Sequence, residues 1–263
     1  MPRFFTLASS SSGNASCLAE GKSALLFDCG IGSAAVCRGL ESGNIDSDSL
    51  SGLLITHEHI DHTKGLSVFL KRHPVPLYAT APVIRLLKKE GRIPENAICH
   101  EISPEEPFFV EDFEILPFAT SHDSVGSLGF LVQSRDRSAA ILTDTGHVSE
   151  EMMHHIEGAD LVLLESNYDP GMLRVGHYPF PLKKRIEGPF GHLSNLQASE
   201  IAARLFRHGT TRFVLGHISK ENNLPQLALQ ATLSSIQEAG GREGIDFLLS
   251  AAPPDQPLSV CIF

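Results

Sequence analysis

The sequence contains no tryptophan, only 3 tyrosines, and no pair of cysteines at CxxC spacing among its 5. The cysteine count is odd, so a fully paired disulfide framework is excluded and reduced thiols are expected at Cys17, Cys29, Cys37, Cys99 and Cys261. Apolar runs such as Ala24–Phe27 and Leu161–Leu164 are far too short to cross a bilayer. The opening Met1-Pro2-Arg3-Phe4-Phe5 leads into serine-rich sequence without the apolar stretch and cleavage site of a secretory signal. No membrane association and a cytoplasmic location are therefore expected. Positive charge is scarce as well: 21 Lys+Arg stand against 31 Asp+Glu, a formal net charge of −10. The globally basic face of many nucleic-acid binders is missing. That balance omits bound cations, however, and leaves room for a local cluster such as Lys183-Lys184-Arg185. There is no repeat, low-complexity tract or charge block. At 263 residues and 42% hydrophobic content, one soluble α/β domain over residues 1–263 is expected.

Histidine is what the chain has in quantity. Several of its 13 histidines follow apolar runs instead of lying inside them, where ligands belong. In the first half, apolar Phe4–Ala8 precedes the turn-forming Ser9–Asn14, and Cys17–Ala19 and Ala24–Phe27 read as a hairpin. Leu53–Thr56 reads as a short buried strand, with helices over Ser33–Leu40, Thr63–Arg72 and Pro82–Glu90. Strands are predicted at Phe113–Phe118, Leu128–Gln133, Ala139–Thr143, Leu161–Glu165 and Thr211–Leu215, with a final pair at Phe247–Leu249 and Leu258–Ile262. Helices are predicted at Ser149–Ile156, Ser194–His208 and Leu224–Ala239. Tyr168–Pro189, rich in Pro and Gly, reads as irregular. Strand runs in both halves with helices between them suggest two sheets packed face to face with helices outside.

The chemistry concentrates in Thr56-His57-Glu58-His59-Ile60-Asp61-His62, which follows Leu53-Leu54-Ile55. An extended segment puts His57 and His59 on one side, within reach of one metal ion. Asp61 and His62, at the turn into a helix, can face a second. Imidazoles and a carboxylate suit zinc, iron or manganese. The same local logic, an apolar strand and then a ligand-type residue, recurs at His122 after Phe113–Pro117, at Asp144 after Ile141-Leu142-Thr143, and at His217 after Phe213-Val214-Leu215-Gly216.

In this order, with Asp28 closing Leu25-Leu26-Phe27, the HxHxDH block and the three later residues resemble the metallo-β-lactamase superfamily of hydrolases. The resemblance runs from Asp28 to His217. It implies a four-layer αββα sandwich with two divalent metal ions (Zn, Mn or Fe) at one edge. It implies His57, His59 and His122 on the first metal, Asp61, His62 and His217 on the second, Asp144 bridging, and Asp28 as support. Three segments outside this set, Leu7–Asn14, Tyr178–Lys183 and Gly191–Asn195, resemble the YycJ/WalJ subgroup of DNA exonucleases that act from the 5′ end. That implies DNA as partner and a two-metal-dependent phosphodiester hydrolase. Asp61 would orient the attacking hydroxide and His192 would protonate the leaving oxygen. Ser12, Gly13, Asn14, Lys183, Lys184, Ser194 and Asn195 would contact the substrate backbone. Ser9–Asn14 also reads as a plain turn, Lys183-Lys184-Arg185 as a solvated face, and Ser194 as a helix cap. A small-molecule hydrolase acting on a cyclic phosphodiester, thioester or lactone, or an RNA-processing nuclease of the same fold, would use the same metals. The interval between Asp144 and His217 is too short for the large insertion domain of β-CASP nucleases.

Overall fold

Successive strand residues point to opposite faces, and in this chain both faces of the central strands are apolar. The computed structural model describes residues 1–263. Strands β1 (Arg3–Ser10), β2 (Gly13–Glu20), β3 (Ser23–Phe27), β4 (Gly52–Leu54), β5 (Leu77–Ala79) and β6 (Cys99–Glu101) lie side by side in chain order in one sheet. Strands β7 (Phe108–Val110), β8 (Phe113–Ala119), β9 (Leu128–Ser134), β10 (Arg137–Leu142), β11 (Leu161–Glu165), β12 (Arg212–Gly216) and β13 (Leu248–Ala251) form the second, also in chain order. The last strand, β14 (Cys261–Ile262), returns to pair antiparallel with β1. In each sheet an antiparallel meander gives way to parallel pairs, β3 to β6 in the first and β10 to β13 in the second.

The helices are α1 (Ser33–Ser42), α2 (Ile60–Thr63), α3 (Leu66–Arg72), α4 (Ala81–Lys89), α5 (Glu150–Ile156), α6 (Pro170–Val175), α7 (Phe180–Glu187), α8 (Asn195–Arg207) and α9 (Pro225–Glu238). Alternation sorts neighbouring side chains into layers. Leu25, Phe27 and Leu54 join Phe113, Phe130, Ile141 and Leu163 in the core between the sheets. Leu26 and Leu53 point the other way, against Val36, Leu40, Phe69 and Leu87 of α1, α3 and α4. Ala140, Leu142, Val162 and Leu164 point away from the central core onto Met153, Ile156, Ala202 and Ile236 of α5, α8 and α9. The order of layers is thus helix, sheet, sheet, helix. The Phe27 and Phe130 rings meet across the middle at 5.8 Å. Truncating a fully buried phenylalanine of this kind costs about 3–5 kcal/mol.

Four sequence expectations change in detail. The Ser9–Asn14 turn tightens to Ser11-Ser12, because Ser9 and Ser10 pair with Asn14 and Gly13 across the β1–β2 hairpin. The expected helix Thr63–Arg72 breaks between α2 and α3. Tyr168–Pro189 is not irregular: Asp169 caps α6 by accepting from the Met172 amide at 2.8 Å, and Pro179 precedes α7. The final strand pairs only over Cys261–Ile262. No helix is long and apolar enough to cross a membrane, and all five cysteines are free thiols.

Candidate metal centre

Every strand that feeds the site does so at its carboxyl end. Asp28 follows β3, His57 follows β4, His122 follows β8, Asp144 follows β10, Glu165 ends β11 and His217 follows β12. Three of these residues sit in the left-handed region that non-glycine residues rarely adopt: Asp28 at φ 60°, Asp144 at φ 56° and His217 at φ 52°. Such backbone costs about 1–3 kcal/mol per residue and clusters at functional sites. It turns the chain sharply as the strand ends, so the side chain points back over the sheet edge.

The candidate ligands converge. His57, His59 and His122 form one group whose ligand atoms lie within 4.8 Å of one another, and Asp61, His62 and His217 form another. Asp144 lies between them, with Oδ2 at 3.1 Å from His62 Nε2 and Oδ1 at 3.7 Å from His122 Nε2. Four histidines commit Nδ1 to an oxygen and turn Nε2 inward. The Nδ1 of His57 meets the Thr56 hydroxyl at 3.0 Å and that of His62 meets Asp28 at 2.7 Å. His122 Nδ1 donates to the Gly191 carbonyl at 3.1 Å, and His217 Nδ1 donates to Glu165 at 2.7 Å. His59 is reversed and presents Nδ1, 3.3 Å from His122 Nε2. Asp28 also accepts from the Thr56 amide at 2.9 Å, so one carboxylate steadies two adjacent ligands. Arg92 ties the motif from outside by donating to the Glu58 carbonyl at 2.7 Å.

This set fits divalent metal ions. His57 Nε2 is buried with no hydrogen-bond partner, an arrangement that is costly unless something accepts its lone pair. Ligand atoms around a tetrahedral zinc with bonds of about 2.0–2.1 Å stand about 3.3 Å apart, the observed His59–His122 spacing. Without an ion the cluster is strongly polarised. Burial opposes charge on Asp144, yet His217 and His62 hold its carboxyl well below the usual range. Burial likewise opposes charge on His62, but Asp144, Asp28 and Asp61 raise its pKa well above the histidine norm. His217 is raised to about 10: burial opposes the rise, and Asp144, Asp61 and Glu165 overcome it. His57 moves the other way, lowered by burial and then by His62.

Beside the cluster opens a cavity of about 350 Å³, lined among others by Ser11, Asn167, Tyr178, Arg185, His192 and Ser219. Of the residues expected to act on substrate, Asp61 and His192 line it. The other seven do not. Asn14 is buried and donates its amide to the Ser10 carbonyl at 2.9 Å, with the same nitrogen 3.1 Å from His62 Nε2, so it lies behind the motif and not on the cavity wall. Ser12 and Gly13 face a separate groove. Lys183 is drawn into the Arg174 and Gly176 carbonyls at 2.8 and 2.7 Å, and Lys184 pairs with Glu187. Ser194 caps α8, and buried Asn195 bonds Ser166 and Asn223. The cation of that cluster which reaches the cavity is Arg185, paired with Asp123.

Sequence reasoning missed Glu165. It is fully buried; it bonds His217 and His192 through Oε1, and the Thr145 and Leu193 amides, each at 3.1 Å, through Oε2. Burial opposes its ionisation, but His192 and His217 hold its pKa down to about 2. The signal was present, an acid closing the apolar Leu161-Val162-Leu163-Leu164.

The β-lactamase superfamily domain model matches residues 24–218. The chain belongs to that superfamily. Within it the chain groups with proteins named exodeoxyribonuclease WalJ and YycJ. It is 34% identical to the Streptococcus pneumoniae WalJ over 96% of this chain and 95% of that protein. It is 32% identical to the Bacillus anthracis YycJ over 98% of this chain and 97% of that protein. Among solved structures, the metallo-β-lactamase fold protein YhfI from Bacillus subtilis superposes with a TM-score of 0.73 at 17% identity, covering 98% of this chain and 99% of that one. The αββα sandwich read from the sequence is thus the fold of known superfamily members.

Proposed function

We propose that this protein hydrolyses phosphodiester bonds of DNA from the 5′ end, using two divalent ions held by His57, His59, Asp61, His62, His122, Asp144 and His217. The observation that carries this reading is the likeness, over 96% of the chain, to a protein named exodeoxyribonuclease. The convergent ligands support it. Ions bound there supply Lewis-acid stabilisation of charge on the phosphoryl oxygens and acidify water. The chain's own residues do the rest. Asp61, on the cavity wall, orients the attacking water. His192, whose Nδ1 is fixed on Glu165 at 2.9 Å, keeps Nε2 for the leaving oxygen. Arg185 meets a non-bridging oxygen, and a cavity of about 350 Å³ is sized for one terminal nucleotide. Contacts of this kind fix the backbone without reading sequence. Five free thiols suit a reducing cytoplasm.

The test uses metal-loaded protein and 5′- or 3′-labelled single- and double-stranded DNA and RNA. Stepwise shortening of DNA from the 5′ end, abolished by a chelator, is expected. Intact DNA and RNA ends beside rapid turnover of a small phosphodiester, thioester or lactone would overturn the reading.

A further inference from the structure

A second groove lies behind the Ser11-Ser12 turn. It measures about 630 Å³, larger than the cavity at the metal cluster, and Arg38, Lys64 and Lys220 line it. In a chain of formal charge −10, three cations in one groove are a local reversal of sign. Its one carboxylate, Asp255, is held by Lys220 at 2.8 Å. Arg38 and Lys64 are solvent-exposed and pair with no carboxylate.

Two walls are backbone. The first is the Gly30–Gly32 segment leading into α1, from which Ala35 and Arg38 continue the same wall along the helix. A methyl group on Gly32 would meet nothing within 4 Å, so this backbone is open to the groove. The second wall is the β1–β2 turn. Ser11 faces the metal cavity while Ser12 and Gly13 face the groove. The two spaces are close neighbours, because a Cβ at Gly30 would fall 1.6 Å from the Asp61 carbonyl oxygen. Gly30 is the groove's floor and Asp61 the cavity's wall, with their backbones in contact.

We infer that this groove binds the phosphodiester backbone of the DNA strand beyond the scissile bond, with Arg38 and Lys64 as its phosphate contacts. The strand crosses the Ser11-Ser12 turn from the metal cavity. The inference rests on the exonuclease reading and gives it the backbone contacts that Lys183 and Lys184 do not provide. The groove holds no aromatic side chain among its lining residues, so it grips the backbone and leaves bases unread.

The test compares wild type, Arg38→Glu/Lys64→Glu, and a control of equal charge change at exposed residues outside the groove, Arg207→Glu/Arg242→Glu. Each is measured for binding of a fluorescein-labelled 12-nucleotide single strand across a salt series, and for turnover of that strand and of bis(p-nitrophenyl) phosphate. Two lost phosphate contacts flatten the salt slope by about 1.4, at about 0.7 per contact for a single strand. We expect at least a tenfold loss of strand affinity in the groove variant, that flattened slope, and wild-type affinity in the control. Turnover of the small diester, which spans only the metal cavity, reports whether the cluster is intact. Wild-type affinity and slope in the groove variant, with the strand still cleaved by both proteins, would overturn the groove and leave the exonuclease reading standing. A wild-type protein that neither binds nor cleaves the strand would overturn both. An equal loss in the control would overturn the groove in favour of a diffuse charge effect.

Discussion

Glu165→Gln removes one charge and almost no volume from a fully buried residue of the site. Its Oε1 accepts from two imidazole Nδ1–H groups, His217 at 2.7 Å and His192 at 2.9 Å, and its Oε2 from two backbone amides at 3.1 Å. All four partners are donors. A glutamine offers one oxygen and one NH2 group, so whichever way the amide turns, two buried donors face another donor. Each unsatisfied buried donor costs about 1–3 kcal/mol, so the change should destabilise the protein by about 2–6 kcal/mol. That is a large share of a typical total of about 5–15 kcal/mol. Freeing His217 and His192 from their shared acceptor should also weaken metal binding about 10–100-fold. The assay is thermal unfolding with and without metal, together with titration against a competing chelator. The wild type carries an internal check. Glu165 has its pKa lowered from 4.5 to about 2 on folding, so its contribution to stability is present above pH 4.5 and is lost as pH falls toward 2. The glutamine variant should lack that acid-dependent component. Unchanged unfolding temperature and unchanged chelator competition in Glu165→Gln would refute the view that this carboxylate holds the two imidazoles.

The remaining expectations concern protons, chemistry and bases. With His217 raised to about 10 by Asp144, Asp61 and Glu165 against its burial, metal loading near pH 7 should release its proton, seen by calorimetry in buffers of different ionisation enthalpy, and apparent affinity should rise with pH; a buffer-independent heat would contradict this. Asp61→Asn should keep its metal content by mass spectrometry yet lose most strand cleavage, and near-normal turnover would remove Asp61 from the reaction. His192→Ala should lower kcat about 10²–10⁴-fold with little change in KM; a change confined to KM would make it a binding residue. Phe190, 60% exposed, whose carbonyl accepts from the Asp123 amide at 3.1 Å beside His122, is placed to stack on an unpaired base, and its change to alanine should cost about 1–3 kcal/mol of single-strand affinity. Unchanged affinity in that variant would mean that no base is held there.

The candidate ligands were legible because of how parallel strands read. A strand buried on both faces is a continuous apolar run, so a His or Asp at its carboxyl end stands out against it. His217 after Phe213-Val214-Leu215-Gly216 and Asp144 after Ile141-Leu142-Thr143 are of this kind. So was Glu165, but it is the last residue of β11 itself. A single acid closing an apolar run does not announce that His192 and His217 will arrive from 27 and 52 residues away.

The substrate-facing residues were less legible because their orientation depends on periods the sequence hides. Tyr168–Pro189 contains enough Pro and Gly to look irregular, yet those residues bound two helices instead of dissolving them. Once α7 is a helix, its 3.6-residue period decides which cation matters. Leu182, Arg185 and Ile186 share the face that lines the cavity, and Lys183 and Lys184 turn away from it. The Ser9–Asn14 segment follows the other period. Extending β1 through Ser10 and starting β2 at Gly13 leaves Ser11 and Ser12 as the whole turn. One serine then falls to the metal cavity and its neighbour to the basic groove. A run of polar residues names a region of contact, but only the local period says which member meets which ligand. The convergence of the candidate ligands could therefore be read residue by residue, whereas the surface beside them could be read only as segments.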